Sequence, residues 1–180
     1  MKTLKNNLSR LLPLVFLSVI AIACKEDDIS PVNNLNLVTA SGVSFNPDGL
    51  WESGCATDTD LGLNLSEILT FSGETLIIDI QFFEDGQCGN LVGTEKVTIS
   101  YTVGETFQAR LNGQSVLTNK ISGTATNQSD NESYSFRQAF YIDDSGTTLK
   151  LYHGRFGDDG GELTDDGYPM ELIAIPFHKI

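Results

Sequence analysis

The feature that most limits what this chain can fold into is an alternation of apolar and polar residues between short turns rich in glycine and aspartate. In its clearest run, residues 75–83, every second residue is apolar: Leu76, Ile78, Ile80 and Phe82. Successive side chains of a strand point to opposite faces, so this pattern predicts strands with one buried face. Helical periods are almost absent after residue 23, and the chain is therefore predicted to be all-β.

Eight such segments are predicted as strands: 50–55, 67–72, 75–83, 96–103, 115–126, 133–142, 148–155 and 168–177. Pairing consecutive strands through short turns gives an antiparallel meander. Eight strands with one apolar face can close into an up-and-down barrel, which leaves no free edge. An open sandwich of two sheets has the same local pattern and stays an alternative at this point.

The first 23 residues have the three parts of a secretory signal, namely a basic start, an apolar run over 11–22 and small residues before Cys24. The apolar run is too short to cross a membrane comfortably, since a spanning helix needs about 20 residues. The sequence from Ala21 to Cys24 resembles the lipobox of bacterial lipoproteins. That resemblance implies a signal peptide over 1–23 and acylation of Cys24, which places a palmitate-type anchor at the mature N-terminus.

The residues that follow Cys24 resemble the export signal of Bacteroidetes lipoproteins, a lysine followed by acidic residues at 25–28. This resemblance implies an outer-membrane lipoprotein exposed at the cell surface. The chain is then rich in Asn, Ser, Thr and Pro, which is typical of a linker. We therefore predict a lipidated, flexible tether over 24–47 and one β-barrel domain over 48–180.

The charge of the mature chain limits its partners. Loss of the signal removes three of 11 basic residues and leaves eight against 24 acidic residues, a net charge of −16. Such a surface repels nucleic acid and anionic lipid headgroups. We expect a monomer that contacts the membrane through its anchor and does not bind nucleic acid.

Two cysteines remain once Cys24 is assigned to the lipid. An even pair in an exported chain predicts a disulfide between Cys55 and Cys88. Zinc is the rival explanation, but two cysteines and two scattered histidines lack the spacing of a zinc finger.

Gly49-Leu50-Trp51 opens the first predicted strand, and it resembles the Gly-x-Trp signature of the lipocalins. The region from Gly49 to Phe177 is similar to lipocalin-like bacterial lipoproteins. The resemblance implies a lipocalin-like barrel in which Trp51 plugs the closed end. It also implies that a basic residue late in the chain, Arg155 or Lys179, covers this tryptophan.

The sequence offers little for catalysis or metal binding. His153 and His178 are the two imidazoles, and no nucleophile elbow, His-Glu-x-x-His or phosphate-binding glycine loop is present. His153 shares the apolar register of its strand and is predicted to be an interior or rim histidine. The acidic loop 157–167 has ligands that suit calcium but not the spacing of a twelve-residue calcium loop, so a solvated hairpin loop is predicted. We expect no cofactor and no metal.

Two functions compete. In the first, the barrel binds a small apolar ligand at its mouth, because an eight-stranded barrel encloses either a filled core or room for one such molecule. The candidate ligand-binding residues are Phe82, Tyr101, Phe136, Phe140 and His153. In the alternative, these bulky side chains fill the barrel, and a structural or interaction lipoprotein presents its loops to a partner at the cell surface. An enzyme is the least favoured function.

Overall fold

The structure is a computed structural model that describes residues 35–58, 62–154 and 161–180. The predicted signal peptide, Cys24, Arg155 and the first part of the acidic loop lie outside these ranges. The described residues contain strands and no helix. Accordingly, no helix among them could cross a membrane.

The described residues form eleven strands. They are β1 (Leu37–Val38), β2 (Ser44–Phe45), β3 (Gly49–Ser53), β4 (Ala56–Asp58), β5 (Leu63–Ser72), β6 (Thr75–Phe83), β7 (Leu91–Leu111), β8 (Gln114–Asn127), β9 (Ser133–Asp143), β10 (Lys150–His153) and β11 (Phe177–Lys179).

The sheet closes on itself. Strands β5 to β10 pair antiparallel in sequence order, β11 pairs with β10, and β3 pairs with both β11 and β5. Lys179 stands opposite Trp51 in the β3–β11 ladder, and Gly49 stands opposite Phe71 in the β3–β5 ladder. The predicted all-β, eight-stranded antiparallel up-and-down barrel is therefore confirmed. A sandwich would have kept the first and last strands unpaired.

The position of the last strand was predicted wrongly. The alternation over 168–177 predicted a barrel strand there, but the closing strand is Phe177–Lys179. Residues before it make only isolated bridges, Arg110 with Glu171 and Gly154 with Leu172. The reason is that Leu172 is buried in a separate apolar cluster with Ala109 and Tyr141 rather than in the main core. Period-two alternation shows that one face of a segment is buried. It does not show whether that face packs inside the barrel or against its outer surface.

Basic residues next to this outer cluster bind the described part of the acidic loop. Arg110 contacts Glu162 at 2.5 Å and Glu171 at 3.2 Å. Lys120 contacts Asp166 at 2.7 Å. Two acidic side chains of the loop, Glu162 and Asp166, thus pair with basic residues of β7 and β8. Among the described residues no group of three or more potential metal ligands is brought together.

The chain bends where β3 gives way to β4. Glu52 stands opposite Ile68, whereas Ala56 stands opposite Leu65, so one extra residue is inserted on the β3–β4 side. Such a bulge bends the strand and leaves local groups to find other partners. Cys55 lies in this bulge and forms a disulfide with Cys88 of the β6–β7 loop, with 5.7 Å between the Cα atoms. The predicted disulfide is confirmed.

Trp51 occupies the end of the barrel at which β3 begins. Its side chain is fully buried in the main core, and its indole N–H donates a hydrogen bond of 2.8 Å to the Pro47 carbonyl. The edge of the indole meets the ring of Phe45, with 6.0 Å between ring centroids. The large ring therefore closes this end while its one polar atom remains satisfied.

Lys179, one of the two late basic residues proposed to cover Trp51, lies over its ring. Its Nζ lies 5.6 Å from the centroid of the indole and 5.2 Å from that of Phe45. Gly49 allows this approach, because a Cβ at that position would stand 3.1 Å from the Lys179 Cε. Gly49 also has a φ of +119°, which favours glycine. This geometry matches the arrangement that the Gly-x-Trp resemblance implies.

The segment before β3 belongs to the domain rather than to a tether. Leu37 of β1 is fully buried in the main core. Asn119 of β8 accepts the Val38 N–H at 2.7 Å and donates to the Val38 carbonyl at 2.9 Å. The predicted tether over 24–47 therefore overestimates the linker, since the described residues from 35 onward pack on the barrel. A short polar segment with one buried apolar residue, Leu37, and two partly buried ones, Leu35 and Phe45, has no periodicity to reveal this.

Candidate ligand-binding cavity

A cavity of about 360 Å³ opens at the other end of the barrel, where the β6–β7 and β8–β9 loops lie. Its volume falls within the range of small-molecule sites, about 300–1,000 Å³. The lining side chains come from five strands: Glu67, Leu69, Ile78, Ile80, Glu95, Val97, Tyr134, Phe136, Gln138, Phe140 and His153. Leu69 stands opposite Trp51 in the β3–β5 ladder, so the cavity begins where the packed core ends.

The cavity has a buried floor and an exposed rim. Phe140, Gln138 and His153 are buried. Tyr134 is 50% exposed and follows directly after the β8–β9 turn, so it marks the rim. Apolar side chains form most of the wall between these levels. A ligand that enters past Tyr134 would leave water and meet a few polar groups on an otherwise apolar surface.

His153 and Glu67 form the polar centre of this site. The Nε2 of His153 lies 3.2 Å from the Oε2 of Glu67, and its Nδ1 lies 2.9 Å from the Gly154 carbonyl. Both neighbours of the ring are acceptors, and an imidazole donates from both nitrogens only when it is protonated. The ring also packs against Phe177 and Phe140, with centroid distances of 5.4 and 6.4 Å. These contacts fix its orientation.

The pKa of His153 reflects two opposed effects. Burial by itself would lower it, but the hydrogen bond to Glu67, the charge of Glu67 and the Gly154 carbonyl together raise the pKa above its ordinary value. The charged form is therefore favoured in the folded protein, as expected for an imidazole beside a carboxylate. Because both ring nitrogens are engaged, His153 is placed to hold Glu67 rather than to act as a free base.

This geometry predicts a pH-dependent difference in stability. The folded pKa of His153 lies above the unfolded value of about 6.5, so its contribution is fully present below that value and is lost as the pH rises through the folded pKa. We expect the free energy of unfolding of the wild type to fall over this interval relative to His153→Gln, measured by urea unfolding. His178→Gln changes an exposed histidine and should follow the wild type. Parallel curves for the wild type and His153→Gln would contradict the pairing.

The bulge between β3 and β4 positions Glu67. Its backbone N–H donates a 2.8 Å hydrogen bond to the Ser53 hydroxyl oxygen instead of to a neighbouring strand carbonyl. The Ser53 hydroxyl in turn donates to the Gly54 carbonyl at 3.1 Å. The Ser53 side chain thus replaces a backbone carbonyl as the acceptor at the position where Glu67 lines the cavity. The Glu67 side chain keeps 17% of its surface exposed.

A second carboxylate, Glu95 of β7, lies nearer the rim. Its Oε1 accepts a hydrogen bond of 2.7 Å from the Nδ2 of Asn127. Partial burial, together with the nearby carboxylates of Glu95 and Asp130, raises the pKa of the Tyr134 hydroxyl. Glu95 and Tyr134 are therefore electrostatic neighbours at the cavity mouth.

The structure brings together three of the five predicted ligand-binding residues. Phe136, Phe140 and His153 line the cavity. Tyr101 is buried instead in the filled end, where its ring meets the edge of Phe71 at a centroid distance of 5.9 Å. Phe82 is half-buried and is not part of the cavity wall. Tyr101 and Phe82 occupy inward registers, but they lie at levels of the barrel away from the cavity.

Sequence reasoning missed three polar lining residues, Glu67, Glu95 and Gln138. Each of them shares the register of buried apolar neighbours two positions away, as Glu67 does with Leu69 and Glu95 does with Val97. A polar residue in the inward register of a strand was the signal that could have identified them, because buried polar groups need a partner or a function.

Comparison with known proteins does not identify a family for this chain. None of the known protein-family models matches this chain, and a search of curated proteins returns no match.

Proposed function

We propose that this protein is a surface-anchored, lipocalin-like lipoprotein whose barrel binds a small, mainly apolar ligand. The observation that carries the proposal is the cavity of about 360 Å³, which has a mainly apolar wall and contains the partly buried Glu67 paired with the buried His153. A concave apolar site with a few convergent polar groups is the usual form of a small-molecule site. The Gly-x-Trp resemblance and the position of Lys179 over Trp51 support the lipocalin-like assignment.

The alternative function requires a filled barrel. The end around Trp51 is filled, since Phe71, Tyr101 and Ile99 are all buried there. At the other end the inward side chains do not meet, and a cavity remains. An unfilled apolar cavity forfeits packing contacts. In a purely structural barrel, nothing would offset this loss of packing contacts. The cavity therefore favours ligand binding.

We expect the purified protein to bind phenylnaphthylamine, an uncharged aromatic probe whose fluorescence rises in apolar surroundings. Ile78→Trp should abolish saturable binding, because the larger ring would occupy the cavity that Ile78 lines. Ile77→Trp is the matched control, since this neighbour on β6 has the opposite register and should leave binding intact. Equal binding by both variants, or no binding by the wild type, would refute a ligand-binding barrel.

The proposal also includes the lipid anchor on Cys24. Its support is the lipobox-like sequence before Cys24 and the charged residues after it. Several acyl chains would hold the protein firmly, since each buried methylene contributes about 0.8 kcal/mol. We expect the wild type to enter the detergent phase on phase separation and Cys24→Ser to stay in the aqueous phase. Ser30→Ala, in the same segment, should behave as the wild type does. Partitioning of Cys24→Ser into detergent would contradict the anchor.

A further inference from the structure

The cavity carries acidic side chains and almost no compensating charge. Glu67 and Glu95 both line it, and His153 is the single basic residue among its described lining residues. No described lysine or arginine is among the lining residues. Lys96, next to Glu95 in sequence, pairs with Asp79 at 2.9 Å and is absent from the lining. The alternation of β7 thus sends the lysine to the outer face and the carboxylate into the cavity.

The two carboxylates differ in whether a partner offsets their negative charge. Glu67 is paired with the imidazole of His153, which offsets its charge when the ring is protonated. Glu95 has the amide of Asn127 as its partner, and a neutral amide orients a carboxylate without cancelling its charge. Glu95 is half-buried, where electrostatic interactions are screened less than in bulk water. The net negative charge of the cavity therefore resides near its rim.

Aromatic side chains accompany this charge. Tyr134, Phe136 and Phe140 line the same cavity along the inward register of β9. The faces of such rings attract cations, and the attraction is stronger where the site excludes water. A carboxylate beside aromatic rings, in an otherwise apolar cavity, is a chemical environment for an organic ammonium group. An anionic headgroup would meet two carboxylates instead, and like charges placed together repel each other.

We propose that the ligand is a small organic cation, an apolar molecule carrying a protonated amine. Its ammonium group would pair with Glu95 and contact Tyr134 at the rim, while its apolar body would lie against Leu69, Ile78 and Phe136 deeper in the cavity. This inference rests on the proposed ligand-binding function and specifies the chemical class of the ligand.

The test uses three probes with one apolar body and different headgroups: phenylbutylamine, phenylbutanol and phenylbutyrate. Each is titrated against full-length protein loaded with phenylnaphthylamine, and its affinity is obtained from displacement. We expect the amine to bind about tenfold more tightly than the carboxylate, with the alcohol between them. Glu95→Gln should remove most of the advantage of the amine over the alcohol, and it should change the affinity for the alcohol by less than about twofold.

Glu95→Gln keeps the size of the side chain and an oxygen that accepts from Asn127, and its urea unfolding midpoint checks that it folds. Glu105→Gln is the matched control, because this acidic residue of β7 pairs with Lys120 outside the cavity and should leave the probe order unchanged. Equal affinities for the amine and the alcohol, or tighter binding of the carboxylate, would overturn the cationic ligand while leaving the binding function standing. An unchanged amine preference in Glu95→Gln would overturn the assignment of Glu95. Failure of phenylnaphthylamine itself to bind would overturn the binding function and this inference together.

Discussion

Replacing Trp51 by alanine should lower the free energy of unfolding by about 3–5 kcal/mol, the usual cost of truncating a large buried aromatic residue. Three interactions disappear with the ring: its packing against Phe45, its contact with the Lys179 ammonium, and its hydrogen bond to the Pro47 carbonyl. Because the ring is fully buried, the cavity left behind cannot be filled by a small shift of its neighbours. The measurement is equilibrium unfolding in urea.

Two further variants test whether the loss of stability comes from burial of the Trp51 ring or would follow any substitution in β3. Leu50→Ala changes the preceding residue of β3, which is 44% exposed, and should cost less than about 1 kcal/mol. Trp51→Phe keeps most of the packing but loses the indole N–H, and its cost should lie between those of the two alanine variants. A loss below about 1 kcal/mol for Trp51→Ala would mean that the ring does not plug the barrel.

Removing the disulfide should have an effect of similar size. Cys55 and Cys88 are 33 positions apart, and closing a loop of that length is worth about 3–4 kcal/mol in the chain-entropy model. The bond joins the bulge between β3 and β4 to the β6–β7 loop. We expect the double variant Cys55→Ser/Cys88→Ser to lose about this amount in urea unfolding.

The origin of this loss can be checked as well. Most of it should arise in the unfolded state, because the loop around Cys88 has its own hydrogen bonds: Asp85 accepts the backbone N–H groups of Gln87 and Gly89, each at 2.9 Å. The urea m-value should therefore rise in the double variant, as its unfolded chain becomes less compact. A loss below about 1 kcal/mol, or two reactive thiols in unreduced and unfolded wild type, would contradict a stabilising bond.

The barrel could be predicted from the sequence because the alternation of each strand and the motif of the first strand are short-range patterns. Alternation along β6 and β9 places the inward faces, and Gly49-Leu50-Trp51 indicates which strand closes the ladder. The last strand was harder. Residues 168–177 were predicted as a barrel strand from their alternation, but Leu172 is buried in the outer cluster. That cluster depends on β7 and β8 extending beyond the barrel wall.

The candidate site was predictable only in part for a related reason. Phe136, Phe140 and His153 are inward-facing residues of adjacent strands, and their register shows in the sequence. Whether an inward residue fills the core or lines a cavity depends on its level along the barrel axis, which register alone does not give. Tyr101 thus fell in the packed end. The pairing of His153 with Glu67, 86 positions apart, follows from the closure of the whole ladder.

The central claim is that one end of this barrel is packed and the other is an open ligand-binding cavity. The most direct test is an NMR titration of methyl-labelled protein with phenylnaphthylamine. The account predicts saturable shifts for the methyl groups of Leu69, Ile78, Ile80 and Val97, which line the cavity. It predicts little change for those of Leu37, Ile142 and Leu151, which are fully buried in the main core and absent from the cavity wall. Saturable shifts confined to the packed end or the outer surface, or none at the cavity methyl groups, would contradict it.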